Sequence, residues 1–127
     1  MIDSRDLMVW NYVEYDGKVY FIQDVSMFQG RYVSNLFQNI WDSFAYLQNK
    51  LISDFIPILI TEDWLIDLGF KKWNFKSGNE ITYSKGKLIL HKRKRGWVIN
   101  KNRKEPKYIH ELQNIARSFY ELELMKH

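Results

Sequence analysis

An α+β fold is predicted for this chain by three observations: a β-hairpin signal near its N-terminus, a capped helix start at Thr61, and a 3–4-residue apolar stripe close to its C-terminus. The expected order is an N-terminal, strand-rich part of small-barrel character over residues 1–60. A short helix, an antiparallel β-meander and a C-terminal helix follow over residues 61–127. A chain of 127 residues fits one compact unit built from these two parts.

Leu7 to Tyr15, the pair Asp16-Gly17, and Lys18 to Val25 read as a hairpin, because Asp-Gly between two β-rich runs suits the positive φ of a type I′ turn. Alternation puts Trp10, Tyr12 and Glu14 on one face and Val9, Asn11, Val13 and Tyr15 on the other. Both faces are partly apolar, so one lines the core and the other meets a strand, a helix or a partner. Arg31 to Phe37, introduced by Gly30, reads as a third strand. Asn39 to Asn49 fits two states: Ile40, Trp41, Phe44 and Leu47 have helical spacing, while the flanks favour strand. Leu51-Ile52 and Phe55 to Ile60 are expected to be extended, with Pro57 at an edge, a strand end or a connection.

Thr61-Glu62-Asp63 is a helix start, with Thr at the N-cap and two acids in the first turn facing the positive end of the helix dipole. The helix Glu62 to Leu68 stops at Gly69, a C′ residue. The meander is expected from Lys72 to Phe75, Ile81 to Ser84, Lys87 to Arg93 and Trp97 to Asn100. Its turns fall at Ser77-Gly78-Asn79, Lys85-Gly86 and Lys94-Arg95-Gly96. Leu88 and Leu90 share a face with Lys92, and Ile89 shares one with His91 and Arg93. The last helix is expected over Lys107 to Leu122, with Pro106 in its first turn and Ile109, Leu112, Ile115, Ala116 and Phe119 facing the core.

Two segments carry a resemblance. Pro57-Ile58-Leu59-Ile60-Thr61-Glu62-Asp63-Trp64-Leu65, closing with Leu68-Gly69-Phe70, resembles the signature P-I-x-L-T-E-E-W-L-x-x-L-G-F. Tyr108-Ile109-His110-Glu111-Leu112-Gln113-Asn114 resembles its companion Y-V-H-x-L-Q-N. Both are similar to a group of small proteins encoded by phages, prophages and mobile elements of Bacteroidetes. That resemblance implies a phage or mobile-element origin and a shared scaffold, and it brings no activity and no catalytic residue. The chain departs from the group in two places. Phe119 to Leu124 has no glycine stop, and the cations of Lys92 to Arg95 are its own.

Charge is segregated. Residues 1–60 hold 7 acidic and 4 basic side chains and residues 61–127 hold 8 and 15, so the net +4 conceals a strongly basic second half. The run Lys92, Arg93, Lys94 and Arg95, followed by Trp97, Lys101, Arg103 and Lys104, is the densest part. On a projecting hairpin these cations would meet phosphates, with Trp97 available for stacking. The plainer reading is a lysine-rich edge kept soluble and unpaired, with Trp97 and Ile99 alternating as core residues.

Other chemistry is poorly supplied. There is no cysteine, so neither a disulfide framework nor a thiolate metal site is expected, which suits a reducing compartment. His91, His110 and His127 lack ligand spacing, no metal is expected, and His110 suits capping or packing. Asp63 and Asp67, or Ser43 after Asp42, do not make a catalytic constellation by sequence. Neither a dinucleotide fingerprint nor a P-loop is found, so no cofactor is expected. The N-terminus lacks a secretory signal pattern and no apolar run reaches the roughly 18–20 residues of a membrane span, so a soluble protein of the bacterial host cytoplasm with no membrane partner is expected.

The expectation is a non-enzymatic accessory protein whose partner is nucleic acid. One alternative is an anti-defence protein that sequesters a small nucleotide or blocks a host immune protein. Another is a virion structural or assembly part. Aromatic residues make up 17 % of the chain, enough to expect that one apolar face is covered by a ligand or by a second copy in a homodimer.

Overall fold

The computed structural model describes residues 2, 6–40, 43–74, 81–94, 96–99 and 104–125. The architecture is α+β: two antiparallel sheets, a short helix and a C-terminal helix. The chain divides into two compact units, Met1–Ile58 and Leu59–His127.

In the first unit, β1 (Tyr12–Tyr15) and β2 (Lys18–Ile22) form the hairpin expected at Asp16-Gly17, whose φ values of 51° and 76° are those a type I′ turn requires. The first strand begins at Tyr12 rather than Leu7. Met8 to Asn11 is instead a turn, closed by the Asn11 N–H on the Met8 carbonyl (3.1 Å) and by the Met8 N–H on Asn11 Oδ1 (2.7 Å). The buried Asn11 side chain bonds nearby backbone and bends the chain here, while the Trp10 N–H and the Asn11 carbonyl still bond Ile22 of β2, both at 2.9 Å. Trp10 takes the third position of this turn at φ 73°, a left-handed conformation that costs a bulky residue about 1–2 kcal/mol.

A second hairpin joins β3 (Ser26–Phe28) to β4 (Arg31–Ile40) through Gln29 and Gly30, at φ 51° and 77°. Of the ambiguous segment, Asn39 and Ile40 end β4, and the residues from Ser43 onward belong to β5 (Ser43–Leu51), paired antiparallel along β4. Residues 41 and 42 lie outside the described residues. A bulge in β4 between Ser34 and Leu36 is held by Asn35, whose N–H reaches Asp24 Oδ1 (3.1 Å) and whose Oδ1 accepts from the Asn49 N–H (2.9 Å). After β5 a 3₁₀ turn (Ile52–Asp54) returns the chain to the outer edge of β1. There Glu14 and Ile56 exchange two backbone hydrogen bonds of 3.0 and 2.8 Å, an isolated antiparallel bridge.

The register sorts the sheet into two faces. Val13, Tyr20, Ile22 and Leu36 pack with Ile2, Leu7, Ile52 and Phe55 as the core of this unit. The other face carries a cross-strand aromatic row, Tyr12, Phe21, Phe37 and Tyr46, each opposite the next. Trp10 meets Phe21 and Phe37 edge-on at 6.1 and 6.2 Å, the geometry aromatic quadrupoles favour.

The second unit opens with α1 (Glu62–Asp67). Thr61 caps it, its Oγ1 accepting from the Trp64 N–H at 3.3 Å. Its end is a Schellman motif: the Gly69 N–H donates to the Ile66 carbonyl (3.0 Å) and the Phe70 N–H to that of Leu65 (2.9 Å). Gly69 sits at φ 92°. The Leu68 carbonyl takes a further bond from Lys85 Nζ at 2.7 Å, and burial holds that ammonium below the usual lysine range. The meander follows as β6 (Lys71–Asn74), β7 (Ile81–Lys85), β8 (Leu88–Arg93) and β9 (Gly96–Ile99), each strand pairing with the next. The turn expected at Ser77-Gly78-Asn79 lies outside the described residues. The next turn is Gly86-Lys87, one residue later than expected, because a type II′ turn puts glycine first and Lys85 pairs with Leu88.

The C-terminal helix α2 (Ile109–Tyr120) starts two residues later than the sequence predicts. Pro106 therefore precedes it, and Tyr108 is the N-cap. Glu111 fixes this start, its Oε1 accepting from the Lys107 and Tyr108 N–H groups, both at 3.0 Å. Ile109, Leu112 and Ala116 are buried as expected, but Phe119 is 56 % exposed, and His110 and Gln113 are buried instead. The segment after the helix explains the rotation. Leu124 is buried, and its carbonyl accepts from Gln113 Nε2 at 2.9 Å. Arg117 grips Glu123 through two bonds of 2.7 and 3.0 Å.

The helix ends without glycine, with Glu121 in the left-handed region at φ 54°. Glu121→Gly is expected to stabilise the chain by about 1 kcal/mol by removing that penalty. Urea denaturation measures it, and a loss of stability would show that the side chain matters more than the backbone.

Candidate nucleic-acid interface

The hairpin of β8 and β9 has a buried root and a cationic tip. Leu90 pairs with Ile99 and Lys92 with Trp97, while Arg93 pairs with Gly96 to close the turn. Leu88, Leu90 and Ile99 are fully buried, and Lys92, Arg93 and Lys94 are exposed. Gly96 has φ 139°, a conformation that L side chains rarely adopt, so it is the residue this closing position requires. His91, on the face away from that core, joins Thr82 across the ladder through Nδ1 and Oγ1 at 3.0 Å.

Trp97 is only 8 % exposed. Its ring packs edge-on to Tyr83 at 5.4 Å, its indole N–H reaches the Ile60 carbonyl at 3.3 Å, and Lys92 Nζ stands 5.6 Å from its centroid. It is a core residue with an edge on the surface, the role its alternation with Ile99 favours, and not an open stacking platform. Lys104 is drawn beside β9 by its carbonyl, which accepts from the Ile99 N–H at 2.8 Å, and its ammonium lies 5.0 Å from the Phe119 centroid. Arg95, Lys101 and Arg103 lie outside the described residues.

The tip adjoins a groove of about 800 Å³ within this unit, lined by residues 59–61, 93–94, 96–98 and 105–107. One side is built by a short antiparallel bridge between Leu59 and Tyr108, in which the Ile60 N–H donates to the Lys107 carbonyl at 3.2 Å. The other side is β9 and the end of β8. Arg93, Lys94 and Lys107 give the lining three cations against the one carboxylate of Glu105. The structure thus brings Arg93, Lys94 and Trp97 to one groove. Sequence reasoning missed Leu59, Pro106 and Lys107. Pro57 to Ile60 was legible only as extended chain and Lys107 only as helix, and nothing local announces a bridge across so long a stretch of sequence.

At the far edge of the meander a second polar cluster has a structural character. Lys72 Nζ lies 2.6 Å from Glu62 Oε1, and the buried Tyr83 hydroxyl donates to the same carboxylate. Hydrogen bonds from Lys72 and Tyr83 hold the Glu62 carboxyl below its usual range. Burial first, and the Glu62 carboxylate second, push Tyr83 up to about 12. The folded chain therefore holds the Tyr83 proton more tightly than the unfolded chain, whose tyrosine titrates near 10. This stabilisation is complete below pH 10 and is lost as pH rises towards about 12. Glu62 works in the opposite sense, its contribution being present above its ordinary value of 4.5 and lost as pH falls through its lowered one. Tyr83→Phe is expected to cost about 1 kcal/mol at neutral pH and to flatten the alkaline fall in melting temperature. Thermal melts between about pH 9 and pH 11.5 measure it.

Among the described residues no helix is long and apolar enough to cross a membrane, and no three His, Asp or Glu side chains cluster as metal ligands. Compared with protein-family models, curated proteins and solved structures, the chain matches none.

Proposed function

We propose that this chain is a non-enzymatic binding protein that contacts nucleic acid through the β8–β9 hairpin. The observation that carries the reading is the tip itself: Lys92, Arg93 and Lys94 stand exposed on a strand pair whose root is locked in the core. Because a strand ladder already holds its root, the tip loses little backbone freedom when it meets a polyanion, and each phosphate it neutralises releases counterions. The wider field favours the same partner, since 13 basic and 2 acidic residues fall between Lys71 and Lys107. On the resemblance of residues 57–70 and 108–114 described from the sequence, we further propose an origin in a phage or mobile element and action in the host cytoplasm.

A second reading is favoured by the groove. Its size lies within the roughly 300–1,000 Å³ of small-molecule sites, and its lining is cationic and apolar, so a small nucleotide signal would also fit. The two separate by experiment. Fluorescence polarisation of labelled oligonucleotides over a salt series is expected to show binding that weakens steeply with salt. The variant with Lys92, Arg93, Lys94 and Arg95 changed to Ala is expected to lose it. Binding of a mononucleotide with no affinity for oligonucleotides would replace the first reading by the second.

A further inference from the structure

We propose that the groove beside the tip receives an unstacked base of a single-stranded nucleic acid, with the neighbouring phosphates on Arg93, Lys94 and Lys107. This rests on the nucleic-acid reading and adds to it a preference that phosphate contacts alone do not give. Three features of the groove support it. Leu59, Val98 and Pro106 give it an apolar lining, and Leu59 is 56 % exposed, a large apolar side chain left open beside cations. The cations lie on both walls, Arg93 and Lys94 on the hairpin and Lys107 opposite, so a strand crossing the groove has a phosphate partner on each side.

The third feature is the strand edge. A two-residue turn closed by Arg93 and Gly96 makes that pair, and then His91 with Val98, the hydrogen-bonded pairs of the ladder. Ile99 consequently turns its N–H away from β8, which its 2.8 Å bond to the Lys104 carbonyl shows directly. By the same alternation Trp97 turns its N–H and C=O to the outer edge, where the groove lies. One donor and one acceptor side by side match the polar edge of a base. Duplexes keep their bases stacked and present only phosphates to such a groove, so the preference follows from geometry.

The test uses the full chain with four labelled probes: a 12-nucleotide single strand of mixed sequence, the matching duplex, an abasic strand with the same phosphates, and an acidic 12-residue peptide. The intact strand is expected to bind about tenfold more tightly than the abasic strand at equal salt. Leu59→Trp, which fills the groove from an exposed position, is expected to erase that difference, so that intact and abasic strands bind alike. Competition by a mononucleotide on the unaltered protein, expected to displace the intact strand and not the abasic one, needs no variant. Equal binding of intact and abasic strands would overturn the groove while leaving the phosphate reading standing. No binding of any oligonucleotide would overturn both. Peptide binding as tight as that of the intact strand, and lost in Leu59→Trp, would assign the open edge to an extended protein segment and overturn the proposal.

Discussion

Trp97→Ala is expected to destabilise the Leu59–His127 unit by about 3–5 kcal/mol, the cost of removing a large buried ring and leaving a cavity. The environment accounts for the size. The ring is 8 % exposed, meets Tyr83 edge-on at 5.4 Å, and bonds the Ile60 carbonyl at 3.3 Å. Its loss would empty the space beneath the hairpin and leave that carbonyl without the indole partner. Trp97→Phe separates the contributions: it keeps most of the apolar area and loses the N–H, so about 1–2 kcal/mol is expected. Urea unfolding followed by circular dichroism reads both. A domain has only about 5–15 kcal/mol of stability to lose, so Trp97→Ala is expected to shift the transition midpoint severely. A loss below about 1 kcal/mol would mean that the ring is a surface feature, reopening its role as a stacking platform.

The same residue shows what was legible from sequence. The alternation of Trp97 with Ile99 already pointed to the core, because period two is a local property of a strand. Local chemistry was similarly decisive for α1, where Thr61, Glu62 and Gly69 carry both ends of the helix within one short stretch. Signals failed where a distant partner decides. Ile40, Trp41, Phe44 and Leu47 keep helical spacing, yet Ile40 ends β4 and Ser43–Leu51 pairs along it as a strand. Gln29 holds a positive φ that Asn or Gly usually takes, so in the sequence the β3–β4 turn shows only as a glycine before a strand. Phe119 follows the apolar stripe of α2, but the returning segment that buries Leu124 fixes which face is covered. The groove depends on the bridge of Leu59 with Tyr108, and no periodicity encodes that contact.

Changing Lys92, Arg93, Lys94 and Arg95 together to Ala is expected to weaken nucleic-acid binding by two to three orders of magnitude at about 0.1 M salt. The figure follows from counterion release. Each phosphate neutralised on duplex DNA contributes about 0.9 to the slope of log K against log salt, hence roughly eightfold at that concentration. The four adjacent cations are counted as about three phosphate contacts, because neighbouring side chains can share one phosphate. Three such contacts make a slope change of about 2.7. Stability is expected to move by less than about 0.5 kcal/mol, because Lys92, Arg93 and Lys94 are exposed and such side chains support little of the fold. A control must separate the tip from net charge. Lys18→Ala with Arg31→Ala removes two cations from the acidic first unit, and the slope is expected to stay unchanged. If that pair lowered affinity as much per charge as the tip does, the attraction would belong to the diffuse field of the whole protein. The lysine-rich hairpin would then be what an unprotected strand edge needs to stay soluble. A loss confined to the tip variant, with the slope reduced to match, assigns the phosphates to that hairpin.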